Sequence, residues 1–270
     1  MIVSAPASTA NLGPGFDALG LALDVTMDLD VGATVLPEAN HGHPAVVAFR
    51  KAGGEGPLGW SSKIPPGKGM GFSGASYVAG VAAAFAQRGA DLDEVRDEVF
   101  EMATQLEGHP DNAAPSTYGG LTVATNEKCI VVPVAADLRV VMWIPGFETS
   151  TNASRATLPA QISHADATHN VGRTALLVAA MATGDLDALG VCGDDRLHEP
   201  YRLPAVPPTA EAIKAACRAG SLTAFLSGSG PCAAALVRPE DAEAVAAALP
   251  TDNAHVKILQ IADGVQVTSA

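Results

Sequence analysis

Several residue groups in this chain have the types and spacing that chemistry needs, and the densest is Pro65-Pro66-Gly67-Lys68-Gly69-Met70-Gly71-Phe72-Ser73-Gly74-Ala75-Ser76. Its three glycines within residues 67–71 free the backbone, so that consecutive N–H groups can turn toward one anion. Ser73, Gly74, Ala75 and Ser76 then open a run of helical composition, whose first N–H groups have no partner inside the helix. A phosphate set there meets those donors and the positive end of the helix dipole, and Lys68 adds a mobile positive charge. The same residues would equally make a glycine-rich turn ahead of an ordinary core helix. The pattern is not a Walker loop, because no Lys-Ser or Lys-Thr follows the last glycine, and it is not a dinucleotide fingerprint.

Two other clusters stand out. Asn11 and Asp17 flank Gly13-Pro14-Gly15, which lets the backbone approach a ligand or forms a structural turn with an Asx cap. His109, Asp111 and Asn112 lie between Pro110 and Pro115. A lone histidine is more often structural than catalytic, but three polar side chains packed between prolines point to a site.

Short strands and helices must carry these groups. Residues 2–5 read as a strand ending at Pro6, and residues 21–35 as two strands or one bent strand with Asp28 and Asp30 facing out. A helix starts after Pro44, and a long one follows the glycine-rich stretch. Leu92, Val95, Val99, Met102 and Leu106 mark an amphipathic helix over 91–106, with Glu98 and Glu101 on its other flanks. Residues 107–115 interrupt it, and residues 149–155 form a polar loop. Helices over 163–182, 185–197 and 209–218 precede a strand over 222–226, a second glycine loop at Ser227-Gly228-Ser229-Gly230 and a strand–helix–strand ending. A division near residue 135 gives domains of 1–135 and 136–270.

Composition narrows the function. Hydrophobic residues make up 48% and charged residues 17%, which is globular composition. A net charge of −13 disfavours gripping nucleic acid or anionic membrane, so a phosphate site would be a local exception. Cys129, Cys192, Cys217 and Cys232 are scattered without a C-x-x-C pair, as in a reducing cytosol. No basic leader precedes the first strand, and the apolar run at 175–181 is too short to span a bilayer. These features predict a soluble cytoplasmic protein.

Three strings sharpen the reading: Pro6-Ala7-Ser8-Thr9-Ala10-Asn11-Leu12-Gly13-Pro14-Gly15-Phe16-Asp17, Glu107-Gly108-His109-Pro110-Asp111-Asn112, and Asp195-Arg196-Leu197-His198-Glu199-Pro200-Tyr201-Arg202. With the glycine loops at 65–76 and 226–231, they make the chain resemble the GHMP kinase superfamily, in its homoserine kinase branch. The resemblance implies an α+β, two-domain GHMP kinase fold, with a ribosomal-S5-domain-2-like N-terminal domain and a ferredoxin-like C-terminal domain. It implies ATP at residues 66–76 (Pro66, Gly67, Lys68, Gly69, Met70, Gly71, Phe72, Ser73, Gly74, Ala75 and Ser76), with Mg²⁺ on Ser73 and Glu101. It further implies phosphorylation of the side-chain hydroxyl of L-homoserine. Asn11 and Asp17 match positions that hold the ammonium, and Arg155 and Arg202 match a carboxylate clamp. Asn112 and Thr151 fall near the reacting hydroxyl, and Lys68 near the transferred charge. Asn112 stands where sugar and mevalonate members have an aspartate base, so alignment and charge neutralisation replace a formal base. The partners implied are small molecules, without nucleic acid or membrane, and a homodimer is compatible with them. Phe72 and Gly74 depart from the family's Gly-Leu-Gly-Ser-Ser-Ala. Another GHMP kinase, acting on threonine, shikimate or pantoate, is the alternative if Arg155 and Arg202 do not converge with Asp17. A non-catalytic amino-acid-binding relative follows if Phe72 fills the phosphate cradle.

Overall fold

The computed structural model describes residues 1–268. Strands β1 (Ile2–Ala10) and β2 (Leu19–Val31) pair antiparallel along their lengths. The first strand does not end at Pro6: a register shift between Pro6 and Ala7 accommodates the imide, and pairing resumes to Ala10. Nor does Asp30 face solvent. It is buried, and its carboxylate accepts N–H bonds from Val35 and Leu36 at 2.5 and 3.1 Å, which hold its pKa below the usual carboxylate value against the opposing effect of burial.

Helix α1 (Pro44–Lys51), strand β3 (Leu58–Ser62) and helix α2 (Phe72–Gln87) follow. Val78, Ala79, Val81, Ala82, Ala83 and Ala84 of α2 are all fully buried, so this helix is central rather than amphipathic. The next helix, α3 (Arg96–Glu107), is shorter than periodicity predicts. Asp91 turns the chain by accepting from the Asp93 N–H, and Asp93 then accepts from Arg96 Nε, so residues 91–95 stay out of the helix. Residues 107–115 are less irregular than their prolines suggest. Pro110 takes the first position of α4 (Pro110–Tyr118), where an N–H is not needed, and Pro115 is tolerated inside it.

Strands β4 (Leu121–Ala124) and β5 (Cys129–Val132) lead to β6 (Arg139–Pro145). The expected polar loop at 149–155 contains a short helix, α5 (Thr151–Ala156), because the Ser150 hydroxyl accepts from the Ala153 N–H. Helices α6 (His164–Thr183), α7 (Leu186–Cys192), α8 (Glu199–Arg202) and α9 (Pro207–Arg218) are followed by β7 (Thr223–Leu226) and β8 (Ala233–Val237). Helix α10 (Ala242–Ala248), β9 (Ala254–Leu259) and β10 (Gln266–Thr268) complete the chain.

Two antiparallel sheets result, ordered β10-β1-β2-β4-β5 with β3 also on β2, and β7-β8-β6-β9. Helices α2 and α4 pack over the first, with α1 against α2, and α9 and α10 pack over the second. The last strand crosses back over the expected division: β10 pairs with β1, and Gly119 bridges to Asp263. The turn after β1, the start of α2, the start of α4, helix α5 and the turn after β7 all meet at one cleft.

Candidate active site

One wall of the cleft is the start of α2. Gly71 precedes the helix in a left-handed conformation, with φ at 67°. A Cβ there would lie 2.1 Å from Ser8 Oγ, so only glycine brings the loop this close to β1. The N–H groups of Phe72, Ser73 and Gly74 open the helix without internal partners, where the dipole favours an anion. Neighbouring loops fix the approach. Ser8 N–H donates to the Met70 carbonyl (3.2 Å), Cys232 N–H to that of Lys68 (3.1 Å), and the Ser227 hydroxyl to that of Gly69 (2.6 Å).

Not every residue of 66–76 faces this wall. Pro66 is exposed at the loop's outer edge and Gly67, also exposed, lines the cleft mouth, while Met70, Ala75 and Ser76 turn into the core. The Ser76 hydroxyl is spent on the Phe72 carbonyl, at 2.6 Å. Lys68 is not a mobile cation. It is 9% exposed, and its ammonium donates to the Phe147 carbonyl at 2.6 Å, so its charge is held in the cleft wall. Phe72 sends its ring sideways onto Trp60 and His43, edge-on at centroid distances of 6.3 and 5.9 Å. His43 is itself fixed as the cap of α1 by accepting from the Ala45 N–H.

The acidic partner of Ser73 is Glu107, not Glu101. Ser73 donates its hydroxyl to the Glu107 carboxylate at 2.7 Å. Glu101 is exposed on another flank of α3, among Asp93, Glu94 and Asp97. Helix geometry explains the difference: at about 100° per residue, residues 101 and 107 point roughly 120° apart. Burial raises the Glu107 pKa, while the Ser73 hydroxyl and His109 oppose the shift. Two oxygen donors next to a helix N-terminus, one a half-buried carboxylate, suit a small hard cation.

Beside them His109 Nδ1 lies 2.6 Å from the Asp111 carboxylate. Burial opposes charge on His109, but the hydrogen bond and charge of Asp111, with Glu107 and Asp17, outweigh it and raise its pKa. Asn112 projects into the cleft with its Oδ1 accepting from the Ser8 hydroxyl at 2.9 Å.

The opposite wall gathers the charged groups. Asn11 and Asp17 both adopt left-handed backbone, with φ of 72° and 56°, and the Asn11 amide oxygen accepts from the Asp17 N–H at 3.0 Å. The Asp17 carboxylate receives both ends of the Arg155 fork, at 2.8 and 2.9 Å. Arg202 is buried and donates to the Gly228 carbonyl at 3.2 Å. Thr151 stands at the rim, its hydroxyl 3.1 Å from that of Ser229.

Two side chains that sequence reasoning left aside organise this wall. The Phe16 ring lies under both guanidiniums, 5.6 Å from that of Arg155 and 5.1 Å from that of Arg202. His198 is fully buried and bonds the Gly13 carbonyl at 2.8 Å, which requires Nε2 to carry the proton. Its Nδ1 is then left to accept from Arg202, at 3.4 Å. Burial lowers the His198 pKa and favours this neutral form. Asp195 builds the turn that presents His198 by accepting the N–H groups of Leu197, His198 and Glu199. Both residues lie in strings singled out above, but nothing in their types distinguishes them from core packing.

The cleft thus has a backbone anion cradle and a serine–carboxylate pair on one side, and a carboxylate with two guanidiniums on the other. Comparisons with known proteins place the chain in a family. Residues 42–120 match the GHMP kinases N terminal domain, and residues 177–255 match the GHMP kinases C terminal family. A homoserine kinase of Moorella thermoacetica is 38% identical over 97% of this chain and 96% of its own length. One from Thermus thermophilus is 40% identical over 90% of this chain and 89% of its own. The crystal structure of a homoserine kinase from Cytophaga hutchinsonii superposes with a TM-score of 0.85 at 28% identity, covering 99% of this chain and 97% of that one.

Proposed function

The chain belongs to the homoserine kinase branch of the GHMP kinases, and we propose on that basis that it transfers the γ-phosphoryl group of ATP to the side-chain hydroxyl of L-homoserine. The observation that carries this reading is the convergence of Asp17 with Arg155 and Arg202 in the cleft that also contains Ser73 and Gly71. Homoserine is a zwitterion, so it needs an anion for its ammonium and guanidinium forks for its carboxylate. Shikimate and pantoate have no ammonium to set against Asp17. The Phe72 ring rests on Trp60 and His43, which leaves the helix N-terminus open to phosphate and favours a kinase over a binding-only relative.

We assign ATP to the cradle at the start of α2 and Mg²⁺ to Ser73 and Glu107, whose oxygens lie 2.7 Å apart. When bound, the nucleotide supplies the phosphoryl group and the cation neutralises its charge. The chain's own residues align the acceptor. Asp17 and Asn11 hold the ammonium, Arg155 and Arg202 the carboxylate, and the hydroxyl is directed to Asn112 Oδ1 near Thr151. Asn112 accepts a hydrogen bond but is not a base, and Asp111 is held by His109. A loose phosphoryl-transfer transition state requires little early proton removal, so alignment and charge stabilisation suffice. The Lys68 ammonium contributes a fixed charge from the wall rather than a moving contact. The side of the cleft built before residue 135 takes the phosphates, and the two arginines come from beyond it. Cytoplasmic residence completes the proposal; among the described residues no helix is long and apolar enough to cross a membrane.

Arg155→Lys and Arg202→Lys test the acceptor site. Each should raise KM for homoserine by about tenfold to a hundredfold, the scale of a lost charged hydrogen bond, with KM for ATP nearly unchanged. Unchanged homoserine KM in both variants overturns the assignment.

A further inference from the structure

In the acceptor-site reading above, on which this inference rests, Asp17 and Arg155 anchor opposite ends of one ligand. In the protein they anchor each other. Both nitrogens of the Arg155 fork contact both oxygens of Asp17, at 2.8 and 2.9 Å. The Asp17 backbone is set by its left-handed conformation and by the N–H it gives to the Asn11 amide oxygen, and Arg155 lies over the Phe16 ring. Arg202, on the same ring, is engaged by the Gly228 carbonyl and the His198 ring, and its Nε has no partner among the described residues.

We propose that the Asp17–Arg155 pair is a charge-exchange filter, which opens for a ligand carrying both an ammonium and a carboxylate and rejects one carrying either alone. The physical reason is partner bookkeeping. A lone carboxylate that takes Arg155 strips Asp17 of its cation and leaves a half-buried anion in a cleft that Asp111 also lines. A lone ammonium that takes Asp17 strips Arg155, leaving two guanidiniums facing each other over one ring. Each half-ligand forms one ion pair and breaks another, so its net gain is small. A zwitterion breaks one pair and makes two, and Arg202 then gains a counter-charge as well. The contributions of the two ligand ends are therefore strongly non-additive. The filter selects the chemical class of hydroxylated α-amino acids against hydroxy acids and amino alcohols, before any discrimination by shape.

Calorimetric titration, with and without a non-hydrolysable ATP analogue, tests this with L-homoserine and its two halves, 4-hydroxybutanoate and 3-aminopropan-1-ol. The parent protein should bind homoserine and bind each half about a hundredfold or more weaker, as expected when both charged contacts are required together. Asp17→Asn frees Arg155. It should weaken homoserine yet tighten 4-hydroxybutanoate by about three- to tenfold, the scale of a partly exposed bidentate ion pair. That gain should vanish when Arg155→Gln is added. No gain in Asp17→Asn overturns the filter, as does a gain that persists in the double variant, which would reflect only the lost negative charge. If Asp17→Asn does not fold, Arg155→Gln supplies the mirror test, since the freed Asp17 should tighten 3-aminopropan-1-ol, and no tightening overturns the filter. A parent protein that binds homoserine no better than the halves overturns the acceptor site itself. Homoserine binding without the Asp17→Asn gain overturns the filter alone.

Discussion

Ser73 and Glu107 meet on one wall of the cleft at 2.7 Å, joining the start of α2 to the end of α3. The contact pairs a hydroxyl with a carboxylate whose pKa is raised mainly by burial. An anion in that state gains from a cation, which is why this pair rather than Glu101 is assigned to magnesium.

Replacing Glu107 by Gln should lower kcat by about tenfold or more and shift the magnesium titration to higher concentration, because the cation loses an anionic oxygen ligand. Glu101→Gln should leave both curves on those of the parent. Overlapping magnesium titrations for parent and Glu107→Gln would remove Glu107 from the site.

Phe72 takes the place of a serine hydroxyl in the phosphate loop, and restoring the hydroxyl should not improve the protein. The ring packs edge-on against Trp60 and His43, so Phe72→Ser opens a void in that cluster. A loss of about 1–3 kcal/mol is expected for this partly buried aromatic, seen as a lower melting temperature. ATP affinity should be unchanged or weaker. Tighter ATP binding at an unchanged melting temperature would mean that the ring encumbers the cradle.

Gly74 shows the same conflict between local preference and packing. Alanine is the better helix former by up to about 1 kcal/mol. A Cβ at this position would nevertheless lie 2.9 Å from the Asn112 Cβ, where α2 presses on α4. Gly74→Ala should therefore destabilise by about 1–2 kcal/mol net and lower kcat by displacing Asn112, since overpacking outweighs propensity. A more stable and fully active variant would show that the helices separate freely.

Much of this site was legible because its residues lie in compact strings: Asn11 with Asp17, the glycine loop, and Asp111 with Asn112. What escaped is what depends on direction. Glu101 and Glu107 share a helix, and spacing alone does not say which of them faces Ser73. Lys68 reads as a mobile cation, but its carbonyl partner, Phe147, is remote in sequence. The irregular stretch expected at 107–115 becomes α4 because Pro110 falls at a helix start, where its missing N–H costs nothing. Strand β1 passes Pro6 because a bulge absorbs it, and Asp30 is buried because the backbone folds over its carboxylate. Phe16 and His198 read as core residues, and only the assembled cleft shows that they hold the arginines.

The most direct measurement is the identity of the phosphorylated product. The protein is mixed with ATP and Mg²⁺ and, separately, with L-homoserine, L-threonine, shikimate and pantoate. Phosphorus NMR and mass spectrometry then follow each reaction. One new phosphomonoester, O-phospho-L-homoserine, is expected, formed with release of ADP, with at most traces from the other acceptors. Comparable phosphorylation of threonine, shikimate or pantoate would contradict the proposed function, and so would homoserine that binds while ATP remains intact.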